Sequence, residues 1–260
     1  MGEIYERLRD LLREQRPVAL ATVVAGPNVG AKMLVQPGTE PLGSLGDAGL
    51  DRVVARDTLA ELEAGLTSTR HYGVHGEARE EAVHVFIESF ALPPRMIIFG
   101  AVDFTAALVR VAKVLGYRVT VCDARAVFAT VQRFPMADEV VNDWPDRYLA
   151  KVEDELGPRD AVCVLTHDHK FDVPAIAAAV RTSVGYIGAM GSRRTHEGRL
   201  DRLREAGLTD EDLARVMSPI GLDIGARTPE ETAISVCAEI IALRTGRRGQ
   251  SLRDTSGPIH

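Results

Sequence analysis

Arg95-Met-Ile-Ile-Phe-Gly-Ala-Val-Asp-Phe-Thr105 is the stretch on which the fold of this chain depends. Four apolar residues run into Gly100, and helix periodicity follows at once, with apolar side chains at Phe104, Ala107, Leu108, Val111 and Leu115. A second strand, Val119-Thr-Val-Cys122, then ends in Asp123, 23 positions after Gly100. This order of strand, turn, helix, strand and acidic residue predicts a βαβ unit of the dinucleotide-binding type.

The glycine fingerprint of that unit is incomplete. Val102 stands where the second glycine would let a pyrophosphate approach the backbone, and Thr105 stands at the third position. The sequence therefore predicts a Rossmann-like unit but speaks against ordinary NAD(P) binding at this turn. Gly100 and Asp103 remain candidate ligand-contacting residues there.

The α/β pattern divides into two predicted domains. Residues 1–92 read as a small mixed α/β domain, and Pro93-Pro94 marks the boundary, because two prolines interrupt both helices and strand ladders. From residue 95 to 243 strands alternate with helices, which predicts a Rossmann-like parallel sheet. Residues 244–260 form a polar tail.

Local signals place the elements within these domains. In the first domain we expect helices at 3–15 and 57–66, the second capped by Asp57, strands at 18–24, 31–35, 69–75 and 82–90, and a loop at 37–49. In the second we expect strands at 139–141, 161–165 and 186–187 and helices at 146–156, 173–181 and 228–243. Asp172 is predicted to cap the middle one of these three helices.

Composition and charge exclude several classes of protein. The net charge of -6 gives no basic footprint for nucleic acid, and no apolar run is long enough for a membrane span. The N-terminus lacks the apolar segment of a signal peptide. The cysteines, an odd number in apolar surroundings, are predicted to be reduced and buried, which points to a cytoplasmic protein; they are Cys122, Cys163 and Cys237.

Four polar clusters follow predicted parallel strands, whose carboxyl ends are where ligands bind in open α/β sheets. The clusters are Gly100 with Asp103, Asp123 with Arg125, Thr166-His167-Asp168-His169, and Gly188 to Arg194. The last opens a helix with Gly191, Ser192, Arg193 and Arg194, a pattern that suits a phosphate or another anion. The alternative is that Ser192 merely caps the helix beside solvated arginines.

The other clusters leave more than one interpretation open. His167 and His169 share one face if the strand continues, so they can join a ligand-contacting network, bind a metal, or only structure the loop. Asp123 can accept from a ribose hydroxyl, Arg125 can meet a phosphate, or Asp123 can simply pair with Arg125 or Arg118. Asp223 lies between glycines in a loop with apolar neighbours, where we expect it to be buried, hydrogen-bonded and close to one wall of the site.

Several motifs in this order resemble the XdhC/CoxI family. They are Asp123-x-Arg125-x-x-Phe-Ala129, Arg133-Phe-Pro, Leu165-Thr-His-Asp-His169, Tyr186-Ile-Gly-x-x-Gly-Ser-Arg-Arg194, Pro219-Ile-Gly-Leu-Asp-Ile-Gly-Ala-x-Thr-Pro-Glu230 and the terminal Ser-Gly-Pro-Ile-His. The resemblance spans about residues 95–243. It implies an accessory factor that binds the molybdenum cofactor (molybdopterin), presents it for sulfuration and inserts it into an apo-enzyme. It also implies a homodimer, a client of the xanthine or carbon monoxide dehydrogenase type, and contact with a cysteine desulfurase.

Two departures from the family separate this chain from its usual pattern. The family commonly has Gly-Ala-Gly-His-Val-Ala where this chain has Gly100-Ala-Val-Asp-Phe-Thr105. It also has Ser-Gly-Gly-Cys-Val-Glu at the place that corresponds here to Gly46-Asp-Ala-Gly-Leu-Asp51, and a later N-terminal cysteine motif is missing as well. Because residues 1–92 contain no cysteine, no N-terminal cysteine can act as a ligand in this protein.

Three hypotheses for function follow. The leading one is a non-catalytic chaperone that holds the cofactor at the carboxyl edge of the sheet, with its phosphate at Gly191-Ser-Arg-Arg194. The second is a nucleotide-binding, NAD(P)-dependent oxidoreductase that uses Gly100, Asp123 and either His167 or His169 as the acid or base. The third is a regulatory paralogue that retains the fold and a partner surface without catalysis.

Overall fold

The chain forms two units, residues 1–92 and 93–260, in a computed structural model that describes residues 2–256. Each unit has its own sheet and its own hydrophobic clusters. The first unit is antiparallel and the second is parallel, so the predicted α/β class is confirmed. No helix within residues 2–256 has the length and apolar character that crossing a bilayer requires.

The first unit is a five-stranded antiparallel sheet with two helices. Its elements are α1 (Gly2–Arg13), β1 (Val18–Ala25), β2 (Lys32–Val35), β3 (Leu42–Ser44), α2 (Ala48–Ala64), β4 (Ser68–Tyr72) and β5 (Val83–Phe90). The strand order is β3-β2-β1-β5-β4, so β1 lies at the centre of the sheet. The buried residues of α2 pack against one face of this sheet, together with apolar side chains of β1, β2 and β5.

The start of the second helix differs from its prediction. The sequence pattern predicts this helix at 57–66 with Asp57 as its cap, and it predicts a loop at 37–49. In the structure α2 begins at Ala48, because the Asp47 carboxylate accepts hydrogen bonds from the backbone N–H groups of Gly49 and Leu50 at 2.9 and 3.0 Å. Asp57 lies inside the helix and pairs with Arg56 at 2.8 Å.

The second unit is a six-stranded parallel sheet covered by helices. Its elements are β6 (Arg95–Phe99), α3 (Asp103–Val114), β7 (Arg118–Cys122), β8 (Glu139–Val141), α4 (Pro145–Val152), β9 (Ala161–Val164), α5 (His169–Ala179), β10 (Tyr186–Ala189), α6 (Arg193–Glu205), α7 (Asp210–Ala214), β11 (Val216–Met217) and α8 (Pro229–Arg244). The strand order is β11-β10-β9-β6-β7-β8. The chain therefore reverses direction across the sheet between β6 and β9, which is the switch point of a doubly wound fold.

Alternate side chains of each strand pack on opposite faces of this sheet. Met96 and Ile98 join the buried cluster that includes α3 and α8, whereas Ile97 and Phe99 join the cluster that includes α4 and α5. Both clusters are apolar throughout, as expected for a parallel sheet covered on both sides. The loops at the carboxyl edge therefore follow strands that are packed on both faces of the sheet.

The predicted bounds of two helices in the second unit are wrong. The helix expected from 173 begins at His169, because Asp168 rather than Asp172 accepts the capping bond, from Lys170 N–H at 3.0 Å. The helix expected at 146–156 ends at Val152 and gives way to a 3-10 turn at Glu153–Glu155. The short elements α7 and β11 were not predicted, and the last residues of the expected tail, 257–260, lie outside the described part of the chain.

Candidate functional site

Four of the parallel strands carry the predicted polar clusters at their carboxyl ends. β6, β7, β9 and β10 end at Phe99, Cys122, Val164 and Ala189, so the loops that follow share one edge of the sheet. Gly188 is the exception, because it lies inside β10 rather than in the turn. A Cβ atom on Gly188 would come within 2.5 Å of Ile220 Cδ1, so this glycine provides packing space.

The first turn, after β6, is closed by the chain's own polar groups. Gly100 has φ +111°, and a Cβ atom there would lie 2.7 Å from Thr166 Cγ2, so a glycine is required. The Thr105 hydroxyl donates to the Gly100 carbonyl oxygen at 2.5 Å and accepts from Val102 N–H at 3.2 Å. Ala101 N–H donates to Asp123 Oδ2 at 2.8 Å. Two N–H groups of the turn are thus already bonded within the protein.

Asp123 and Arg125 form a bidentate pair at the end of β7. Arg125 donates through Nε to Asp123 Oδ1 at 2.9 Å and through Nη2 to Oδ2 at 2.7 Å. Burial would raise the pKa of Asp123, but Arg125 and the backbone donors of Ala101 and Arg125 hold it below its usual value. With both oxygens occupied, the structure favours the predicted internal pair over a free acceptor for a ribose hydroxyl. Asp103 lies exposed at the first position of α3.

The third and fourth clusters come together in a cleft of about 280 Å³, which we call the arginine cleft. It lies between the start of α5 and one face of α6 and is lined by His167, His169, Asp172, Arg194, Thr195, Gly198, Arg199 and Arg202. Ser192 caps α6 by accepting from Thr195 N–H at 3.1 Å. Within residues 2–256, Arg194 and Arg202 pair with no carboxylate. The cleft is therefore positively charged.

A buried ion pair forms the floor of the arginine cleft. Arg199 Nη2 lies 2.9 Å from Asp172 Oδ2, and both side chains are only 3% exposed. Arg199 also donates to the Met190 carbonyl oxygen at 2.7 Å, and Thr166 donates its hydroxyl to Asp172. Burial raises the pKa of Asp172 to about 6, although the Arg199 guanidinium opposes this shift. Asp172 thus supports the cleft from below and is not the predicted helix cap.

Sequence reasoning missed two arginines of the cleft. Arg202 follows Arg194 at i+8, with Gly198 between them at i+4, so the helical period could have placed both arginines on one face. Arg199 gave no local signal, because its partner Asp172 is 27 positions away in sequence. Arg193, which was predicted to bind, is exposed and does not line the cleft.

Asp223 does not have the position predicted for it. It is exposed, as are its neighbours Ile224 and Gly225, and its carboxylate makes no hydrogen bond or ion pair within the described residues. The less exposed part of this loop is earlier, where the half-buried Gly221 donates its N–H to Glu239 at 2.9 Å. The apolar residues around Asp223 therefore suggested a burial that the loop does not provide.

Metal and thiol chemistry find little support in the described residues. No group of three or more His, Cys, Asp or Glu side chains within residues 2–256 is arranged to hold a metal ion. The three cysteines are free and buried, as predicted. Burial raises the pKa of Cys122 and of Cys237 to about 12 and also raises the pKa of Cys163, so the thiols stay protonated near neutral pH.

The fold and the site define a Rossmann-like protein whose first turn is closed by its own polar groups and whose sheet edge carries a cationic cleft. Comparison with known families is consistent with this class. A family model described as the XdhC Rossmann domain matches residues 96–240, and one described as the XdhC and CoxI family matches residues 11–73. The chain belongs to the XdhC and CoxI family.

Three relatives are similar to parts or all of the chain. The uncharacterized protein YqeB of Escherichia coli K12 is 27% identical over 267 residues, covering 98% of this chain and 49% of YqeB. A probable xanthine dehydrogenase subunit of Bacillus subtilis 168 is 34% identical, covering 64% and 47% of the two chains. The molybdenum cofactor insertion chaperone PaoD of E. coli K12 is 34% identical, covering 38% and 31%. The chain spans less than half the length of each relative.

A solved structure shares the fold. A crystal structure described as a xanthine dehydrogenase from Bacillus halodurans superimposes with a TM-score of 0.56 and is 22% identical in sequence. The match covers 94% of this chain and 96% of that one. At this identity the likeness supports the fold, and the function has to be argued from the site.

Proposed function

We propose that this protein is a molybdenum-cofactor-binding accessory protein that holds the cofactor by its phosphate in the arginine cleft. In this role it takes part in the maturation of a molybdenum hydroxylase of the xanthine or carbon monoxide dehydrogenase type. Membership of the XdhC and CoxI family and the relative named as a molybdenum cofactor insertion chaperone support the proposal. The same family resemblance leads us to propose a homodimer that works with a cysteine desulfurase.

The observation that carries the proposal is the charge of the arginine cleft. Arg194 and Arg202 bring two guanidinium groups to it and pair with no carboxylate in the described part of the chain. The N-terminus of α6 adds its partial positive charge, and guanidinium forks match the geometry of phosphate oxygens. His167 and His169 supply further polar groups on the opposite wall. An anionic group such as a phosphate monoester suits this donor set.

The residues fit one end of the cofactor better than the other. The phosphate end meets arginines, but the metal and sulfur end has no thiolate to meet, because all three cysteines are buried and protonated. The cofactor when bound would supply the molybdenum chemistry of the client enzyme. This chain's own residues would bind and orient it, so we propose a carrier rather than a catalyst.

The closed first turn weighs against the NAD(P) alternative. A dinucleotide needs backbone donors at that turn for its pyrophosphate, and here Ala101 N–H is bonded to Asp123 and Val102 N–H to Thr105. Opening the turn would break these bonds and leave the buried Asp123 carboxylate with fewer donors. The arginine cleft requires no such rearrangement before it accepts an anion.

Calorimetric titration with molybdopterin tests the proposed function. We expect the wild-type protein to bind it, and Arg194→Ala or Arg202→Ala to raise the Kd about tenfold or more, since a charge-assisted hydrogen bond contributes about 1.5–3 kcal/mol. Arg193→Ala is the matched control, because Arg193 is the exposed neighbour that does not line the cleft. Tight NADH or NADPH binding without molybdopterin binding would contradict the proposal.

A further inference from the structure

A second surface at the carboxyl edge of the parallel sheet is built from alternating cations and aromatic rings. Its side chains come from the loop after β7, the residue before α4 and the first turn of α5. We call it the cation–aromatic row, and its members are Arg133, Phe128, Arg125, Phe171, Lys170 and Trp144. The arginine cleft uses none of them.

The first half of the row is organised by the Asp123 pair. Arg125 lies with its Cζ atom 4.6 Å from the centre of the Phe128 ring, and the two hydrogen bonds that it donates to Asp123 fix the plane of its guanidinium group. Arg133 packs on Phe128 as well, with its Cζ atom 5.4 Å from the ring centre. Arg133 donates to the carbonyl oxygens of Ala101 and Phe128 but pairs with no carboxylate within residues 2–256. Phe128 remains 38% exposed.

The second half continues through α5. Phe171 is buried and lies 5.2 Å from Trp144 between ring centres, and the Arg125 Cζ atom is 5.8 Å from the Phe171 ring. Lys170 Nζ lies 5.0 Å from the Phe171 ring and 5.4 Å from the Trp144 ring. Lys170 is exposed, and its ammonium group has no carboxylate partner among the described residues. Each half of the row therefore contains one cation without a carboxylate partner among the described residues, Arg133 in the first half and Lys170 in the second.

The cation–aromatic contacts of this protein are more numerous and more closely grouped than is usual for a chain of this length. Favourable cation–aromatic contacts occur roughly once per 70–80 residues, so a chain of this size should hold about three or four, scattered over its surface. Here all six such contacts of the described residues fall between Arg125 and Phe171, on one edge of one sheet. Two of the cations also lack a counter-charge. An edge that displays π faces and free positive charge together is chemically suited to a flat anionic ligand.

We propose that the cation–aromatic row binds the flat ring system of a bicyclic nitrogen heterocycle that carries negative charge, such as a pterin or a purine. The ring stacks on the part of the Phe128 ring that stays exposed or on Trp144, and the negative group pairs with Arg133 or Lys170. Pterin is the first ligand to try, a choice that rests on the proposed function; purine satisfies the same chemistry. The start of α5 serves both surfaces, with His167 and His169 at the cleft and Lys170 in the row.

The chain carries a reporter for this test, because Trp144 is its only tryptophan. The probes are a carboxylated pterin without phosphate and adenosine monophosphate, titrated into the full-length protein and followed by tryptophan fluorescence and by calorimetry. We expect the carboxylated pterin to change Trp144 emission and to bind with a Kd that Phe128→Ala raises about tenfold or more, the usual effect of removing one stacking ring. Phe128→Tyr should retain binding, and Arg133→Ala should weaken it.

Controls separate this surface from a general loss of structure and from the cleft. Tyr5→Ala removes an exposed aromatic side chain of the first unit and should change nothing. Tighter binding of the carboxylated pterin than of adenosine monophosphate identifies a pterin surface. Tighter binding of adenosine monophosphate identifies a purine surface when Phe128→Ala weakens it and Arg194→Ala does not, and both results support the proposal. Binding of neither probe, or equal affinity of the wild type, Phe128→Ala and Arg133→Ala, overturns it.

The two proposals fail independently. The carboxylated pterin lacks the phosphate that the arginine cleft is proposed to hold, so its binding reports on the row. If Arg194→Ala weakens molybdopterin binding while Phe128→Ala leaves the Kd of the carboxylated pterin unchanged, the proposed function is supported and the proposed role of the row is contradicted. If Phe128→Ala weakens binding of the carboxylated pterin while the wild type does not bind molybdopterin, the proposed role of the row is supported and the proposed function is contradicted.

Discussion

Asp172 and Arg199 show how two opposing electrostatic effects meet at a single residue pair. Both side chains are 3% exposed, so the carboxylate loses most of its hydration, while the guanidinium 2.9 Å away restores part of that loss. The desolvation effect is larger, and the pKa of Asp172 rises to about 6. Removing one partner of such a pair is more damaging than removing both, since the remaining charge is buried alone.

Arg199→Ala should therefore lower the free energy of unfolding by about 3–5 kcal/mol at pH values well above 6. The loss should shrink in acid, because protonation of Asp172 removes the buried charge. In the wild type the folded pKa of Asp172 lies above the value of about 3.9 for a free aspartate. Its stabilising contribution is accordingly complete below about 3.9 and is lost as the pH rises through the folded pKa. Denaturant unfolding across this range measures both effects.

The control for this prediction removes both charges. Asp172→Leu combined with Arg199→Met should cost clearly less than Arg199→Ala alone and should show little of its pH dependence. A pH-independent loss in Arg199→Ala, or a double variant that is as unstable as the single one, would contradict the desolvation argument.

At the scale of single residues, the sequence predicts an ion pair only where the two partners are close together in the chain. The Asp123–Arg125 pair was among the predicted alternatives because its partners are two positions apart. The Asp172–Arg199 pair could not be predicted, because the chain must fold through β10 before the partners meet. The local pattern instead predicts a cap at Asp172, a role that Asp168 performs four positions earlier.

Among the helices, α8 shows how a local signal fixes an element end. Thr228 accepts from Glu231 N–H at 3.2 Å, the Glu231 carboxylate accepts from Thr228 N–H at 3.0 Å, and Pro229 occupies the first position. The sequence pattern predicted this start directly. The start of α2 was missed because glycine and alanine after Asp47 look like loop in sequence, although the Asp47 carboxylate holds the first turn.

Thr228→Ala should lower the free energy of unfolding by about 1 kcal/mol, the usual cost of losing an N-cap side chain. Thr232→Ala in the next turn of α8 is the matched control, since it removes the same atoms without touching the cap and places a better helix former there. Chemical denaturation of the two variants beside the wild type gives the comparison. Equal losses would mean that the hydroxyl at Thr228 does not act as a cap.

At the scale of the whole molecule, each hydrophobic cluster contains residues from only one of the two units. The two clusters of the parallel sheet contain only residues from Met96 onward, and the two clusters of the antiparallel sheet contain only residues up to Phe90. Alternation of strands and helices predicted the parallel sheet from sequence. Strand β11, with two residues, is too short to give any periodic signal, and the strand order depends on pairings far apart in sequence.

A fragment of residues 93–260 should consequently unfold cooperatively on its own, because it contains both hydrophobic clusters of the parallel sheet in full. It should also bind molybdopterin with about the affinity of the full chain, since every residue that lines the arginine cleft lies within it. Circular dichroism during thermal unfolding and a calorimetric titration check the two statements. The fragment of residues 1–92, which contains no cleft residue, is the control and should not bind. A fragment of residues 93–260 that fails to unfold cooperatively would show that the units depend on each other.

The closed turn after β6 also bears on how such proteins are recognised and re-engineered. Asp123 and Thr105 occupy donors and acceptors that a coenzyme would otherwise use, so the scaffold keeps its shape with nothing bound. Searches that score only the glycine fingerprint will therefore pass over such chains, although the fold is the same. Replacing Val102 with glycine alone should not open this turn to a pyrophosphate, because the bonds to Asp123 and Thr105 would still be in place.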